Sequence, residues 1–481
     1  MSTWLIHAEE VIAPGQHVYF IGICGTAMAS CAAAMKERGY QVSGSDDSVY
    51  PPMSTFLAEQ GITIHQGYDP AHFSTKPDWV VIGNALSRGN AEVVHVLANK
   101  WIYLSLPQLL REVFIRGKRS IVVTGTHGKS TTTSLIAWIL DQAGWNPSYL
   151  IGGLPSNFSR GARFTDSEWI VLEGDEYDTA FFDKRSKFIH YLPEIGIVHN
   201  LEFDHADIFE DLGAVQKTFS HFIRLIPSNG LLLANGSDPN LQPLLEVPFC
   251  PIRRYGLGGK QDDIAKVVSS EGGTTRIEVS GDAYELPMFG DHNVENALAA
   301  IACARHAGVA VQVIQQALRD FKGLRRRQEI IGRFGNITVF DDFAHHPTAI
   351  AKTLQSLREQ FPSARLTALF EPRSNTTRRR VLQQELIQAL SLADDVLLGE
   401  VARASLLSED QRLHLPTVLE ALNQAGCRAA VMADPQEMAD KVASSARAGD
   451  VIVILSNGGF GGLHQRLLDA LQSRFEDTAV S

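Results

Sequence analysis

Three observations predict an α/β protein built as three domains. Short apolar runs alternate with helical patterns along the chain, which implies mostly parallel sheets. Glycine-bearing turns follow two of those runs, at Gly22–Thr26 and at Thr124–Ser130. The length of 481 residues is that of about three ordinary domains. The boundaries fall at 1–117 for a Rossmann-like domain, 118–322 for a central P-loop ATPase-type α/β domain, and 323–481 for a C-terminal Rossmann-like α/β domain.

The composition narrows the class. Apolar residues make up 44 % of the chain, and 39 glycines and 20 prolines are near average for a globular protein. A formal net charge of −11 argues against a nucleic-acid partner, because phosphate backbones are held by basic surfaces. Anionic ligands must then be met by local arginines. Cys24, Cys31, Cys250, Cys303 and Cys427 show no CxxC spacing, so reduced, mostly buried thiols are expected in place of disulfides or zinc. The N-terminus carries no charged segment followed by an apolar run, and no stretch nears the ~18 apolar residues of a membrane span. The expectation is a soluble cytoplasmic protein without a membrane partner, a monomer or weak homo-oligomer.

The first domain opens with a strand at His17–Ile21, a helix to about Arg38, and a second strand from Gln41 to Ser43 that closes on SGSD. This is a βαβ unit with glycines at its first turn. Gly22 and Gly25 do not complete GxGxxG, because Cys24 and Ala27 hold the other glycine positions. A nucleotide is expected there, and not NAD. Asp46, after the second strand, could accept from a ribose hydroxyl or a base, or cap the turn.

In the second domain the strand Ile121–Val123 runs into Gly125 and Gly128, then Lys129 and Ser130, with a helix from Thr131 to about Gly144. Glycines at a strand-to-helix turn let backbone N–H groups close on a phosphate, and the helix N-terminus adds partial positive charge. Lys129 can reach the terminal phosphates, and the Ser130 hydroxyl can hold Mg²⁺. Val123 stands where a full Walker A has glycine. ATP is the expected ligand. The strand Trp169–Leu172 ends in EGDEYDTAFF, and a carboxylate after a strand beside a P-loop is placed for Mg²⁺. Glu173 is the first choice, with Asp175 and Glu176 next. The strand Ile195–Val198 ends in HNLEFDHADIF, which holds His199 and His205. Asp204–His205 is a candidate second metal anchor. A helix is expected from Val294, with Asn293 and Asn296 at its start, where Asn usually caps. Capping is the reading for Asn296, and contact with adenine is a candidate role for Asn293.

The third domain begins near GLRRRQE, where Arg325, Arg326 and Arg327 are candidates for reaching phosphate oxygens. A strand at Ile337–Phe340, the turn DDFAHHPTAI into a helix, and a strand at Leu366–Phe370 follow. EPRSNTTRRR comes next, and the strand Val451–Leu455 runs into SNGGFGG. The tail from Phe475 to Ser481 is expected to fray.

Together TGTHGKSTTT, EGDEYD, NLEFDH, GDHNVENALAA, GLRRRQE and DDFAHHP resemble the Mur ligases, ATP-dependent amide-forming enzymes of bacterial wall precursors. The segments GSDDSVYPPMSTFLAEQGI, VVIGNALSRGN and FEPRSNT resemble one branch of the family. That branch joins L-alanyl-γ-D-glutamyl-meso-diaminopimelate to UDP-N-acetylmuramate during wall-peptide recycling. The alternative is the biosynthetic branch that adds L-alanine alone. It typically has a tyrosine–glycine pair at Phe343–Ala344 and Pro-His-Arg at Glu371–Arg373. A non-ligase nucleotide switch is a third reading.

The resemblance implies ATP and Mg²⁺ as cofactors, UDP-N-acetylmuramate and the murein tripeptide as small-molecule partners, and an acyl phosphate intermediate. It places ATP at Gly125, Thr126, His127, Gly128, Lys129, Ser130 and Thr131, with Asn293, Arg327 and Asp341. It places the UDP-sugar at Gly22, Ile23, Cys24, Gly25, Thr26 and Met28, with Ser45, Asp46 and Ser87. Arg373, Asn375 and His345 would receive the peptide. Ser130, Glu173 and His205 would hold metal, and Lys129, Glu173, His205 and Arg327 would carry catalysis. Gly174 and Ser130 replace the commoner alanine and threonine without loss of chemistry. Lys217 lies at the wrong spacing for the carbamylated lysine of some relatives.

Overall fold

A computed structural model describes residues 12–50, 53–246, 249–271 and 273–477. The sequence reading of the extreme N-terminus falls on residues outside this set, as does the end of the tail beyond Asp477. The chain forms two compact units. One comprises Met1–Leu201, Gly213–Ile264 and Leu298–Ala317, and the other Glu202–Leu212, Ala265–Ala297 and Leu318–Ser481.

The first unit holds two sheets. In the N-terminal sheet, β1 (His17–Ile21), β2 (Gln41–Asp46), β3 (Thr63–Gln66), β4 (Trp79–Ile82) and β5 (Tyr103–Ser105) run parallel in the order β3-β2-β1-β4-β5. Val18 to Ile21 and Val80 to Ile82 are fully buried, as strands covered on both faces must be. The helix Thr26–Glu37 buries Met28, Ala29, Cys31 and Met35 against the sheet. It stops where Gly39 adopts φ +86°, the left-handed conformation that ends helices at little cost. From β1 the chain goes first to β2 on one side and later to β4 on the other. The C-terminal end of β1 is therefore a topological switch point, where α/β sheets open a ligand crevice. The second strand runs on to Asp46, which is thus its last residue and not the first beyond it.

The central sheet contains β6 (Arg119–Thr124), β7 (Ser148–Leu150), β8 (Ala162–Arg163) and β9 (Trp169–Glu173). A hairpin of β10 (Asp178–Ala180) and β11 (Asp183–Ser186) interrupts it. It resumes with β12 (Ile195–Val198), β13 (Leu231–Asn235) and β14 (Ile252–Gly256), in the order β14-β13-β12-β6-β9-β7-β8. All neighbours are parallel except β7 with β8. β6 lies between β9 and β12, with Val123 opposite Glu173 and Thr124 opposite Val198. Val123 is fully buried within β6, so the phosphate loop starts after it and needs no glycine there. The helix after the loop spans Lys129–Gln142, two residues earlier than its apolar pattern suggests, because Lys129 and Ser130 form its polar first turn.

The second unit holds an antiparallel meander of β15 (Asp263–Glu271, from Ala265 onward in this unit), β16 (Thr274–Val279) and β17 (Asp282–Leu286). It also holds a six-stranded sheet of β18 (Glu329–Phe334), β19 (Ile337–Asp342), β20 (Leu366–Phe370), β21 (Asp395–Leu398), β22 (Arg428–Val431) and β23 (Val451–Leu455), ordered β18-β19-β23-β20-β21-β22. Only the β18–β19 pair is antiparallel. Alternation along these strands divides the core. Phe340, Phe370 and Val453 pack on one face, and Val339, Leu369 and Ile454 on the other.

Two expectations need correction. The helix predicted from Val294 spans Asp291–Ala307. Asn293 and Asn296 are therefore buried inside it and not at its N-cap position. EGDEYDTAFF runs from the last residue of β9, Glu173, into the β10–β11 hairpin. The last helix runs Leu463–Asp477, so Phe475, expected to open the tail, lies within it. Four of the five cysteines are buried, and all five are free thiols. No helix among the described residues is long and apolar enough to cross a membrane.

Candidate active site

At the end of β1, Gly22 takes φ +85°, and the amides of Gly22 and Ile23 donate to Ser45 O at 2.8 and 3.0 Å. The Asp46 carboxylate accepts from Cys24 N and Ser48 N, both at 2.9 Å. Of the two readings left open for Asp46, the structure displays the turn brace. Gly25 and Thr26 are exposed at the start of the helix, and Ile23 and Met28 are buried beneath them. Ser87 is exposed on the turn after β4, whose Leu86 side chain lies 3.6 Å from where a Gly22 Cβ would stand. The residues expected to hold the UDP-sugar therefore cluster at the switch point.

Sequence reading missed the support beneath them. Glu92 is fully buried. Its carboxylate accepts from Ser45 Oγ at 2.5 Å, Tyr19 Oη at 3.1 Å and Asp69 N at 3.3 Å, and lies 2.8 Å from His72 Nδ1. A glutamate in the first turn of the helix Ala91–Ala98, behind the Asn90 cap, reads from sequence as an ordinary helix-start residue.

The phosphate loop shows the geometry its glycines imply. Gly125 and Gly128 take φ +129° and +88°. A Cβ at Gly125 would sit 3.0 Å from His199 Cβ and 3.1 Å from Asn200 N. Asn200, also missed, braces the loop: its carbonyl accepts from Thr126 N at 2.9 Å and its Oδ1 from His127 N at 2.8 Å. The signal was its place directly after β12, beside β6. His199 is buried, with Nδ1 2.7 Å from Tyr255 Oη, and belongs to the core. Thr131 is buried on the helix.

Lys129 Nζ donates to Gly125 O and Glu176 Oε2, both at 2.7 Å. Burial opposes its charge, but Glu176 and Asp175 outweigh that and raise its pKa. Ser130 Oγ donates to Glu173 Oε1 at 2.9 Å, and Gly152 N to Glu173 Oε2 at 2.7 Å. Burial, and then the charge of Asp175, push the Glu173 carboxyl up. Asp175 goes the other way: burial opposes its charge, but Lys187, 3.0 Å away, and Lys129 outweigh it. A hydroxyl and a half-buried carboxylate form a hard-oxygen set that suits Mg²⁺. Of the acidic cluster, Glu173 meets Ser130, while Glu176 and Asp175 serve the lysines.

In the second unit a cavity of about 230 Å³ brings together His205, His345, Arg373 and Asn375, with Asp204 and Asn457. Asp204 is buried and accepts from Thr376 Oγ1 at 2.5 Å and His205 N at 2.7 Å. Burial opposes its charge, but His205, His345 and His346 hold its carboxyl well below the usual range. Asn375 Nδ2 donates to Asp207 Oδ2 at 2.8 Å. Arg373 is exposed, 3.4 Å from Glu371 Oε1, and lies over Gly458.

The arginine run divides by role. Arg326 donates to Asp341 Oδ2 at 3.2 Å, Ser456 O at 2.6 Å and Gly458 O at 2.8 Å. It is a structural tie, not the expected phosphate ligand. Arg327 is exposed, with Cζ 5.2 Å from the Phe343 ring centre, and Arg325 is exposed too. Asp341 also receives His464 Nε2 at 3.0 Å. Asn293 Nδ2 donates to Phe289 O at 2.9 Å and Gln328 Oε1 at 3.3 Å.

The sequence matches three family models: Mur ligase family, catalytic domain, over residues 17–117; Mur ligase middle domain over 123–304; and Mur ligase, glutamate ligase domain, over 326–458. It is 42 % identical to the UDP-N-acetylmuramate–L-alanyl-γ-D-glutamyl-meso-2,6-diaminoheptandioate ligase of Escherichia coli K12, covering 95 % of this chain and 99 % of that one. It is 32 % identical to the UDP-N-acetylmuramate–L-alanine ligase of Variovorax paradoxus S110, covering 94 % and 95 %. The crystal structure of a murein peptide ligase from Psychrobacter arcticus 273-4 superposes with a TM-score of 0.71 at 39 % identity, covering 95 % and 99 %. Matched in all three domains and over nearly its whole length, the chain belongs to the Mur ligase family.

Proposed function

We propose that this protein joins L-alanyl-γ-D-glutamyl-meso-diaminopimelate to UDP-N-acetylmuramate, with ATP converted to ADP and phosphate, in the cytoplasm during recycling of wall peptide. The observation that carries the reading is the full-length identity to the E. coli relative named for that reaction, well above that to the L-alanine ligase. In the chemistry, the lactyl carboxylate attacks the γ-phosphorus and ADP leaves. The peptide's alanyl amine then attacks the acyl phosphate carbonyl, loses a proton, and phosphate departs. Both steps gather negative charge, so positioned cations and N–H groups dominate catalysis.

Lys129, kept charged by its acidic neighbours, would exchange Glu176 for the β- and γ-phosphate oxygens. The amides of the loop from Gly125 to Ser130 would close on the phosphates, with Thr131 behind them. Ser130 and Glu173 would hold one Mg²⁺ and His205 a second. Bound there, Mg²⁺ would neutralise charge developing on the phosphoryl oxygens. Arg327, Asp341 and Asn293 are assigned to ATP on the family resemblance. The turn from Gly22 to Met28, with Ser45, Asp46 and Ser87, would take the UDP diphosphate and ribose. Arg373, Asn375 and His345 would receive the peptide.

The test is phosphate release with UDP-N-acetylmuramate and, separately, L-alanine, the dipeptide and the tripeptide. Tripeptide should turn over at least tenfold more efficiently than L-alanine. Equal use of L-alanine would move the protein to the biosynthetic reaction, and ATP hydrolysis without any UDP-sugar would make it a nucleotide switch.

A further inference from the structure

Arg379 and Arg412 set two like charges face to face. They pair as an isolated antiparallel bridge in the second unit. Arg380 N donates to Gln411 O at 2.9 Å and Leu413 N to Arg378 O at 2.8 Å, so the bonds flank the pair and do not run within it. A non-hydrogen-bonded pair of this kind brings its side chains closest, with Cα atoms about 4.5 Å apart. Both side chains leave on the same face of the bridge. By the alternation of extended chain, that face is opposite to the one Arg378 takes. Arg378 lines the cavity that holds Arg373, Asn375 and His345, and neither Arg379 nor Arg412 does.

Both arginines are half-buried, and the Nε of each is buried without a hydrogen-bond partner. Arg412 Nη2 donates to Leu407 O at 3.1 Å. The Arg379 guanidinium bonds to no residue among those described. Elsewhere in this unit Arg358, Arg365 and Arg428 each sit against an aspartate. Among the described residues, neither Arg379 nor Arg412 forms an ion pair. Asp410, close by in the chain, is exposed, and the Ser408 hydroxyl is the first cause of its lowered pKa, with Arg380 adding to it. The unbalanced charge also reaches Arg378, whose pKa is lowered by burial and then by Arg403 and Arg379.

Like charges directly opposite one another destabilise a strand pair, and buried N–H groups without acceptors add to the cost. An oxyanion removes both costs at once. Guanidinium forks match phosphate oxygens bidentately. A phosphoryl group brings about −1.5 to −2 charges at pH 7 against the two cations, where a carboxylate brings one. We infer that Arg379 and Arg412 form an anion site for a phosphoryl group, separate from the phosphate loop. Arg379 follows β20 and Arg412 follows β21, so a bound phosphoryl group would tie the two connecting segments together.

Titration calorimetry of the full chain with inorganic phosphate, glycerol phosphate and acetate tests the site. The protein is first saturated with Mg²⁺ and a non-hydrolysable ATP analogue, so that the loop at Gly125–Ser130 is already filled. Wild type should bind phosphate or glycerol phosphate at least tenfold more tightly than acetate. The tighter of the two identifies the source, the free ion or a phosphorylated metabolite. In Arg379→Gln and in Arg412→Gln the dissociation constant should rise at least tenfold. Melting temperature separates this role from packing. Without phosphate, Arg379→Gln should melt no lower than wild type, because the repulsion is relieved. Added phosphate should raise the melting temperature of wild type and not of the variant. Arg379 gives up no side-chain hydrogen bond, so its variant keeps the comparison available if Arg412→Gln, which loses the bond to Leu407, fails to fold. Absence of phosphate and glycerol phosphate binding by wild type would overturn the inference. So would equal binding by wild type and Arg379→Gln, or acetate binding as tight as phosphate. A lower melting temperature for Arg379→Gln with phosphate binding intact would make Arg379 a packing residue and overturn it too.

Discussion

Lys129 and Glu176 make a buried pair at 2.7 Å, the glutamate only 4 % exposed. Lys129→Ala should abolish product formation while UDP-N-acetylmuramate still binds by calorimetry, because the glycine turn at Gly22 is separate from the phosphate loop. The same change leaves Glu176 buried without its partner, at a cost of about 3–5 kcal/mol. The double variant Lys129→Met with Glu176→Gln should therefore recover thermal stability but no activity. Recovery of turnover would remove Lys129 from the phosphates. Glu173→Gln should lower kcat at least ~100-fold, about 2.7 kcal/mol, and blunt the dependence on Mg²⁺. An unchanged Mg²⁺ titration would pass the role to another carboxylate. Gly458→Ala places a methyl where the Arg373 guanidinium lies. Displacing that side chain should raise KM for the tripeptide about tenfold, or 1.4 kcal/mol, with KM for ATP unmoved. Lys129, Ser130 and Glu173 were legible because one turn and one strand end set their chemistry. Asn200 and Glu92 were not, because their partners lie far along the chain: His127 and Tyr19 are 73 positions from each.

At the level of elements, strands buried on both faces announced themselves as unbroken apolar runs. β1, β12, β20 and β23 begin and end where those runs do. Two buried strands, β4 and β13, were nevertheless left unnamed, and most of the others not named are of a different kind. β10, β11 and β15 to β18 carry polar or charged residues at many positions, as in Asp183–Ser186 with Lys184 and Arg185 exposed, because one face meets water. Helix starts were misplaced for a related reason. The first turns at Lys129 and Asp291 are polar and carry no apolar signal. In the N-terminal sheet, Glu92 ties the helix Ala91–Ala98 to β1 and β2 through Tyr19 and Ser45. Glu92→Ala would leave those donors without an acceptor, costing about 1–3 kcal/mol for each that stays buried. A fall in melting temperature of at least ~5 °C, with weaker UDP-N-acetylmuramate binding, is expected. Weaker binding at unchanged stability would show a local role instead.

For the whole molecule, one buried histidine links stability to pH. His190 is fully inside, its Nε2 3.0 Å from Asp183 Oδ2 and its Nδ1 without a partner. Burial lowers its pKa from 6.5 to about 4, against the pull of Asp183. The unfolded chain then binds more protons between those values, so stability from this group is full above pH 6.5 and is lost as pH falls toward 4. In His190→Gln the melting temperature should fall less steeply over that window. An identical pH profile for both proteins would remove His190 as a source. Net charge acts at the same scale. At −11 the protein repels UDP-sugar, ATP and peptide alike, so each must be drawn in by a small local excess of cations or amides. This logic singled out Arg373 in the sequence as a candidate anion ligand, and the fold places it in the cavity of the second unit.

Val123 stands opposite Glu173 in the β6–β9 ladder, and the phosphate loop leaves from the end of β6. The spacing of Ser130 from Glu173 is thus inherited from which peptide groups pair between two interior strands. A slip of β9 by one position would present Leu172 or Gly174 in its stead and point the acid to the opposite side of the sheet. Turnover by this protein therefore doubles as a proofreading signal for folding: a molecule whose central strands have zipped one step out of phase would be compact, apolar-cored and silent.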